Sequence, residues 1–172
     1  NSKNSVSASI RYRDFNNGTK SSILNDYNGT TLYDFNNNSE SKTGGGSYDA
    51  SLDYKRTFKT EGQELFFSLQ QGSNKRNVDY DVERDSLTGD TYYMETSLNK
   101  SRNLENTIQL DYSHPVSKKL SIDVGGKAIL RDVLSDYDYD IYDFSTETYY
   151  DDTLRSNVFD YSQDVIASYA QA

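Results

Sequence analysis

The 172 residues carry 18 Lys and Arg against 27 Asp and Glu, a formal charge of −9, with one His, one Pro, no Cys and no Trp. Without Cys there are no disulfides, thiolate nucleophiles or Cys-type zinc sites, and the lone His114 leaves no His pair for a metal. The acidity argues against nucleic acid, because a phosphate backbone needs a basic stripe and here Asp and Glu accompany the Lys and Arg clusters. No run approaches the roughly 18 to 20 apolar residues of a membrane helix, and Asn1 opens on polar sequence that lacks a signal-peptide pattern. Only 34% of residues are hydrophobic, thin for a domain that must bury a core, yet 16 Tyr and 7 Phe are too many aromatics for a disordered chain.

Periodicity resolves this conflict. In Ser5 to Arg13, Val6, Ala8, Ile10 and Tyr12 alternate with Ser and Arg, so one face of a strand is apolar and the other polar. Ser47 to Lys55 repeats the pattern with Tyr48, Ala50, Leu52 and Tyr54, and Glu64 to Gln70 with Leu65, Phe67 and Leu69. Thr107 to Ser113 follows with Ile108, Leu110 and Tyr112, then Leu120 to Arg131 with Leu120, Ile122, Val124, Ala128 and Leu130. The sixth, Phe159 to Tyr169, sets Phe159, Tyr161, Val165, Ala167 and Tyr169 against Asp160, Ser162, Asp164 and Ser168. The expected fold is therefore all-β, an antiparallel up-and-down meander of about six strands.

Connections alternate between short and long. Thr57 to Gln63 and His114 to Lys119 read as tight turns, whereas residues 14–46, 71–106 and 132–158 are long. Each long segment holds its own hairpin signal: Asn28-Gly29, Thr88-Gly89-Asp90, and Ser145-Thr146 between Tyr142 and Tyr149. Strands are expected to continue into these segments as ribbons.

A meander with one apolar face, strands of about ten residues, and long loops at one end fits a transmembrane barrel, where lipid meets the apolar face and a lumen meets the polar one. Tyr12, Tyr48, Tyr54, Phe58, Tyr112, Phe159 and Tyr161 lie near strand ends and are expected to form two aromatic girdles. A lumen face would carry Arg11, Arg13, Lys55, Lys127 and Arg131 among Asp49, Asp53, Asp111, Asp123, Asp160 and Asp164. That mixture suits a hydrated interior more than a pore selective for one sign of charge.

Three stretches carry a family resemblance: Gly62 to Leu69, Gln109 to Ser117, and Phe159 to Tyr169. In order and spacing they resemble consecutive hairpins of the outer-membrane β-barrel family of TonB-dependent receptors. The resemblance implies a barrel of about 22 strands around a plug domain in the bacterial outer membrane. It also implies partners: outer-membrane lipid, the rest of the barrel with its plug, an inner-membrane TonB energising complex and a nutrient ligand. No plug or TonB-contacting segment is recognisable in residues 1–172, so the chain is expected to be a single internal segment of such a barrel with its long loops outside the cell.

Two sets of candidate residues lie in the long segments. Asp136, Asp138 and Asp140 form a weak calcium candidate, since hard cations take clustered carboxylates, but no Gly lets this stretch wrap an ion. Tyr80, Tyr92, Tyr93, Tyr137, Tyr139, Tyr149 and Tyr150 are candidates for ligand contact, with Asp and Asn beside them to hydrogen-bond a sugar or a siderophore. No catalytic motif, cofactor site or firm metal site is expected, so the chain is not read as an enzyme.

The rival reading is a secreted or cell-surface β-sandwich that binds carbohydrate or adheres, burying the same apolar face against a second sheet; a smaller barrel with enzymatic or purely structural work is a third. The membrane reading predicts that the isolated chain aggregates unless detergent is present. A soluble monomer with a cooperative melt, checked by light scattering and calorimetry without detergent, would exclude it.

Overall fold

A computed structural model describes residues 2–25 and 35–172. Period-two patterning becomes one antiparallel sheet of seven strands: β1 (Lys3–Asn25), β2 (Phe35–Thr57), β3 (Glu64–Ser86), β4 (Thr91–Ser117), β5 (Leu120–Asp143), β6 (Thr148–Asp151) and β7 (Asn157–Gln171). The order is β1-β2-β3-β4-β5, with β6 and β7 sharing the far edge of β5. β6 pairs with Asp140 to Asp143 and β7 with Asp123 to Tyr137, so the pair acts as one strand interrupted by a short excursion. All six expected strands are present, and β6 is a short seventh.

The expected ribbons are continuous with the main strands. β1 and β2 pair without a break from Lys3↔Thr57 to Asn25↔Phe35, and β2 and β3 from Thr57↔Glu64 to Phe35↔Ser86. At about 3.3 Å per residue, a 23-residue strand spans roughly 75 Å, more than twice the length that crosses a bilayer. The Asn28-Gly29 signal lies outside the described residues. The second forms a turn in which the Gly89 amide donates to Ser86 O at 2.9 Å and Gly89 holds φ 93°, a conformation that favours glycine. At the third, Asp143 accepts from the Ser145 amide and hydroxyl, and Glu147 takes φ 56°.

Directly paired residues point to one face, so the register assigns every side chain. Val6, Ile10, Leu52, Leu69, Ile108, Leu110, Val124 and Leu130 share the apolar face. No second sheet covers it, since the described strands form a single sheet: Ile10 is 80% exposed and Leu110 50%. The soluble sandwich is therefore not the observed architecture. Most of the buried side chains lie on the polar face, and among them are Ser68, Ser97, Thr107, Val82 and Tyr139. Among the described residues there is no apolar core in the usual sense.

Aromatics cluster at the short-turn end of the apolar face as expected. Phe58 meets Tyr112 edge-on at 6.3 Å, Tyr112 stacks on His114 at 6.0 Å, and Arg56 sits 4.8 Å over Phe58. At the other end Tyr12 pairs directly with Tyr48. The last strand departs from expectation. β7 pairs Tyr161 with Val133, Gln163 with Arg131, Val165 with Ile129 and Tyr169 with Gly125, which puts Phe159, Tyr161, Val165 and Tyr169 on the polar face. Asp160 and Asp164 take the opposite face, so they do not join the charged lining and Phe159 and Tyr161 do not join a girdle.

A steric fit supports this register. Gly125 has no side chain, and the Tyr169 ring fills the space while its hydroxyl donates to Asp111 Oδ1 at 3.0 Å. A Cβ on Gly125 would lie 2.3 Å from Asp111 Oδ1 and 2.4 Å from the Tyr169 ring. Cross-strand pairing of Val165 with Ile129 and of Tyr161 with Val133 adds apolar contact on the same face. Gly125→Val is expected to destabilise the fold by about 1 to 3 kcal/mol through overpacking, while Gly126→Ala, whose new Cβ would meet nothing nearer than 3.5 Å, is near neutral. Urea unfolding of the full-length protein in lipid vesicles checks this; equal midpoints for the two variants would show that the Tyr169 contact does not hold the register.

Candidate functional site

Above the apolar belt the polar face carries a knot of side chains brought together by odd-numbered positions on β4 and β5. Tyr93 and Glu95 stand two apart on β4, and Ser97 pairs with Tyr139 on β5. Both Tyr93 and Tyr139 donate their hydroxyls to the Glu95 carboxylate. Arg155, in the excursion between β6 and β7, donates to the Tyr139 hydroxyl at 2.6 Å and lies 4.8 Å over its ring. The same excursion is tied to the Tyr139 backbone: the Asp152 amide donates to Tyr139 O at 2.8 Å, and the Tyr139 amide donates to Ser156 Oγ at 2.9 Å. Arg84 extends the knot, 4.5 Å over the Tyr93 ring.

Tyr139 is only 8% exposed, so its hydroxyl is committed internally. Burial first, and then the hydrogen bonds with Glu95 and Tyr93, push its pKa well above the usual tyrosine range. A folded pKa above the unfolded one means this hydroxyl's contribution to stability is complete below about pH 10 and is lost as pH rises through the folded value.

The seven candidate tyrosines do not form one site. Tyr80, Tyr93, Tyr137, Tyr139 and Tyr150 lie on the polar face, where Tyr137 and Tyr139 are 6.4 Å apart. Tyr149 pairs with Tyr142 on the opposite face, in a group with Phe144, and burial followed by the charge of Asp81 raises its pKa. Tyr92 sits at the sheet tip, edge-on to Phe35 at 6.4 Å. Sequence reading missed Glu95, Arg84 and Arg155. The shared parity of Tyr93 with Glu95, and of Tyr137 with Tyr139, was the available signal, but nothing local revealed that Arg155 folds back.

Asp136, Asp138 and Asp140 stand in a row on the face opposite Tyr139, paired with Lys100, Leu98 and Thr96. Successive carboxylates on one strand face are roughly 6.5 Å apart at the backbone, too far to share one ion without help from other strands. Among the described residues no group of three or more His, Cys, Asp or Glu is placed to hold a metal. Elsewhere on that face Glu40 accepts from Lys20 at 2.8 Å and Lys42 at 3.1 Å, which holds its carboxyl below the usual range.

Lower on the polar face is a groove of about 630 Å³ whose lining includes Ser9, Asp49, Gln70, Asn74, Asn103 and Glu105. Gly72 gives it depth, because a Cβ there would lie 3.2 Å from Asp49 Oδ1. Beside the groove Arg131 grips Glu105 through Nε at 2.9 Å and Nη2 at 2.6 Å. Hydroxyls, amides and paired charges make this a hydrated wall rather than an apolar binding pocket.

One sheet with an uncovered apolar belt and a polar, partly buried opposite face defines the wall of a membrane β-barrel. Residues 56–172 match the model of the outer membrane protein beta-barrel family, and the chain belongs to that family. Its place is the bacterial outer membrane, with the apolar face toward lipid and the polar face toward the lumen. None of the curated proteins matches the chain.

Tyr139→Phe removes one donor to Glu95 and the acceptor for Arg155, and so loosens the excursion at residues 152–156. Trypsin cleavage after Arg155 in the folded full-length protein is expected to accelerate by about tenfold, corresponding to one lost charge-assisted hydrogen bond. An unchanged cleavage rate, followed by mass spectrometry, would show that the knot does not hold the excursion.

Proposed function

We propose that this chain forms part of the barrel wall and the extracellular ribbons of a TonB-dependent outer-membrane receptor that takes up a nutrient too large for simple porins. The observation that carries the reading is the continuous ladder far beyond the apolar belt: β2 stays paired with β3 as far as Phe35↔Ser86, and β3 with β4 as far as Asp85↔Thr91 beside the turn. Such ribbons build a tall vestibule over a hydrated lumen, an arrangement that receives a ligand rather than passing small solutes quickly. β1 and β7 are not paired with each other, so a barrel containing them needs further strands. In this reading the lumen wall, with its Ser, Asn, Gln and paired charges, meets a plug domain. Ligand contact falls to tyrosines that open onto the lumen side, Tyr80, Tyr137 and Tyr150. The partners are outer-membrane lipid, the plug and the TonB complex, and the chain has no catalytic role.

In the native bacterium, deleting the full-length gene and deleting TonB are expected to abolish growth on the same nutrient without an additive effect. Uptake that persists after collapse of the proton-motive force would exclude the reading. Tyr137 is the last β5 residue paired with β7, through Asn157, so replacing residues 138–156 by an Asn-Gly turn shortens the ribbon without breaking that ladder. The shortened protein is expected to assemble with normal heat-modifiable mobility while uptake falls at least about tenfold, the loss of one good ligand contact.

A further inference from the structure

Beyond the belt both faces of the ribbons meet water, so desolvation gives a charge no reason to choose between them. The chain nevertheless sorts its charges by strand parity. On β3 and β5 the carboxylates Asp79, Asp81, Glu83, Asp136, Asp138 and Asp140 all project outward. From Arg13 on β1, Ser47 on β2 and Asn74 on β3 to the far ends of these strands, no described inward position carries a carboxylate, and the inward cations are Arg13, Arg76 and Arg84. On β4 and β5 the inward carboxylates at these levels are already engaged: Glu95 by the Tyr93 and Tyr139 hydroxyls, and Asp143, at the tip, by Ser145. In a chain of net charge −9, the acidity of the ribbons is turned outward and the inner wall is left cationic.

Arg76 is the centre of that wall. It stands in one row with Phe15, Gly45 and Ser101, and Arg13 lies in the next row down with Ser47 and Asn74. Both arginines are exposed, and among the described residues neither has a carboxylate within ion-pair distance. Of the nearest inward carboxylates, Asp49 lies opposite Arg11 and Glu105 is gripped by Arg131. Gly45 shapes the surface: a Cβ there would lie 2.2 Å from Lys75 O, 3.0 Å from Phe15 Cζ and 3.1 Å from Arg76 Cα. The Phe15 ring therefore lies across the glycine and ends beside Arg76. Arg13 is about 12 Å from Arg76 between α-carbons, two strands and two residues away. Tyr137 stands one row above Arg76 and Tyr80 two, and the groove of about 630 Å³ opens below it through Asn74.

We propose that this inner wall binds an acidic oligosaccharide, a chain of sugars bearing carboxylate or sulfate groups, with Arg76 and Arg13 on its anionic groups and Phe15 beneath a sugar ring. The proposal rests on the receptor reading above and adds the class of ligand. Arginine forks match the paired oxygens of a carboxylate, and sulfate presents a similar edge. Around them Ser47, Asn74 and Ser101 offer donors and acceptors for hydroxyls, which a sugar chain presents along its whole length and a fatty acid does not. Tyr137 and Tyr80 continue the ring platforms up the wall, so the ligand runs along the ribbon rather than into a closed pocket. The outward carboxylates repel the same ligand from the outside of the ribbons, and the field directs it inward.

The test uses the full-length protein, purified in detergent, on an array of oligosaccharides in matched pairs: uronate oligomers against their methyl esters, and sulfated oligomers against desulfated ones, with polyglutamate as a polyanion that is not a sugar. Wild type is expected to bind at least one acidic member, and its neutral partner and polyglutamate at least about tenfold more weakly. R13Q/R76Q is expected to bind that acidic member at least about tenfold more weakly than wild type, F15A to weaken it and F15Y to retain it. R102Q, which removes an outward arginine one level away, is expected to match wild type. Heat-modifiable mobility confirms that each variant is folded. No acidic member bound, equal binding of an acidic member and its neutral partner, equal binding of polyglutamate, or wild-type affinity in R13Q/R76Q overturns the proposal. Binding is read without TonB, so TonB-independent growth overturns the receptor reading and leaves this result standing. TonB-dependent growth with no acidic oligosaccharide bound overturns the ligand class alone.

Discussion

Everything in this sheet rests on one constraint: a backbone amide or carbonyl in hydrocarbon has no water to turn to, so each must find a partner on a neighbouring strand. Lipid gives the outward side chains no hydrophobic reason to associate with one another, and no second layer is needed. Val82 and Tyr139 are the buried hydrophobic residues among those described, and both face the polar side above the belt. The ladder therefore supplies the cohesion that a core supplies in a soluble domain. Its continuity from Lys3↔Thr57 to Asn25↔Phe35 shows that it does so well outside the membrane too.

Outside the membrane the ladder competes with water, and cross-strand side chains take over part of the work. Ser9 meets Ser51 and Ser21 meets Ser39, each at 2.8 Å; Thr96 donates to Asp81 at 2.7 Å; Lys20, Glu40 and Lys42 form a three-member ion pair. Each is worth little alone, since exposed pairs are screened. Spread along ribbons this long, they keep the register from sliding where no apolar face fixes it. The Tyr93–Glu95–Tyr139–Arg155 knot is the strongest local tie, and it sits where β6 ends and the edge of β5 would otherwise lie bare.

These facts explain what was legible in the sequence. Where one face meets lipid, alternation is strict, and the strands through Ile10, Leu52, Ile108 and Val124 could be read with their faces correct. Beyond the belt both faces are hydrated, so Gln71 to Asn77 shows no alternation although it is all strand, and further out Val78, Tyr80 and Val82 alternate with Asp79, Asp81 and Glu83 in the reverse sense, with the apolar residues on the polar face. In β7 the alternation was clear, but it says only which residues share a face. Which face that is depends on the neighbouring strand, and Gly125, an ordinary glycine in the sequence, proves to be the space that Tyr169 fills. Residue type alone marks the candidate tyrosines, and it is strand parity that divides Tyr139 from Tyr149.

Along β3 the charge that makes the chain look unlike a membrane protein is stratified rather than diffuse. Along the lipid-side face of β3 the order runs Leu69, Gln71, Ser73, Lys75, Asn77, Asp79, Asp81, Glu83: apolar, amide, hydroxyl, cation, and then carboxylates. An apolar residue belongs in hydrocarbon, and an amide or hydroxyl in the interface. Charged side chains are stable beyond the interface, where water solvates them. On β4 the order Ile108, Asn106, Leu104, Arg102, Lys100 follows it except at Leu104, whereas β5 and β7 place Asp132 and Asp164 on this face at the level of Leu104 and Asn106. Net charge averages over these layers and hides them. Since position along a strand is height above the bilayer, the residue order itself records the gradient the wall was built to cross.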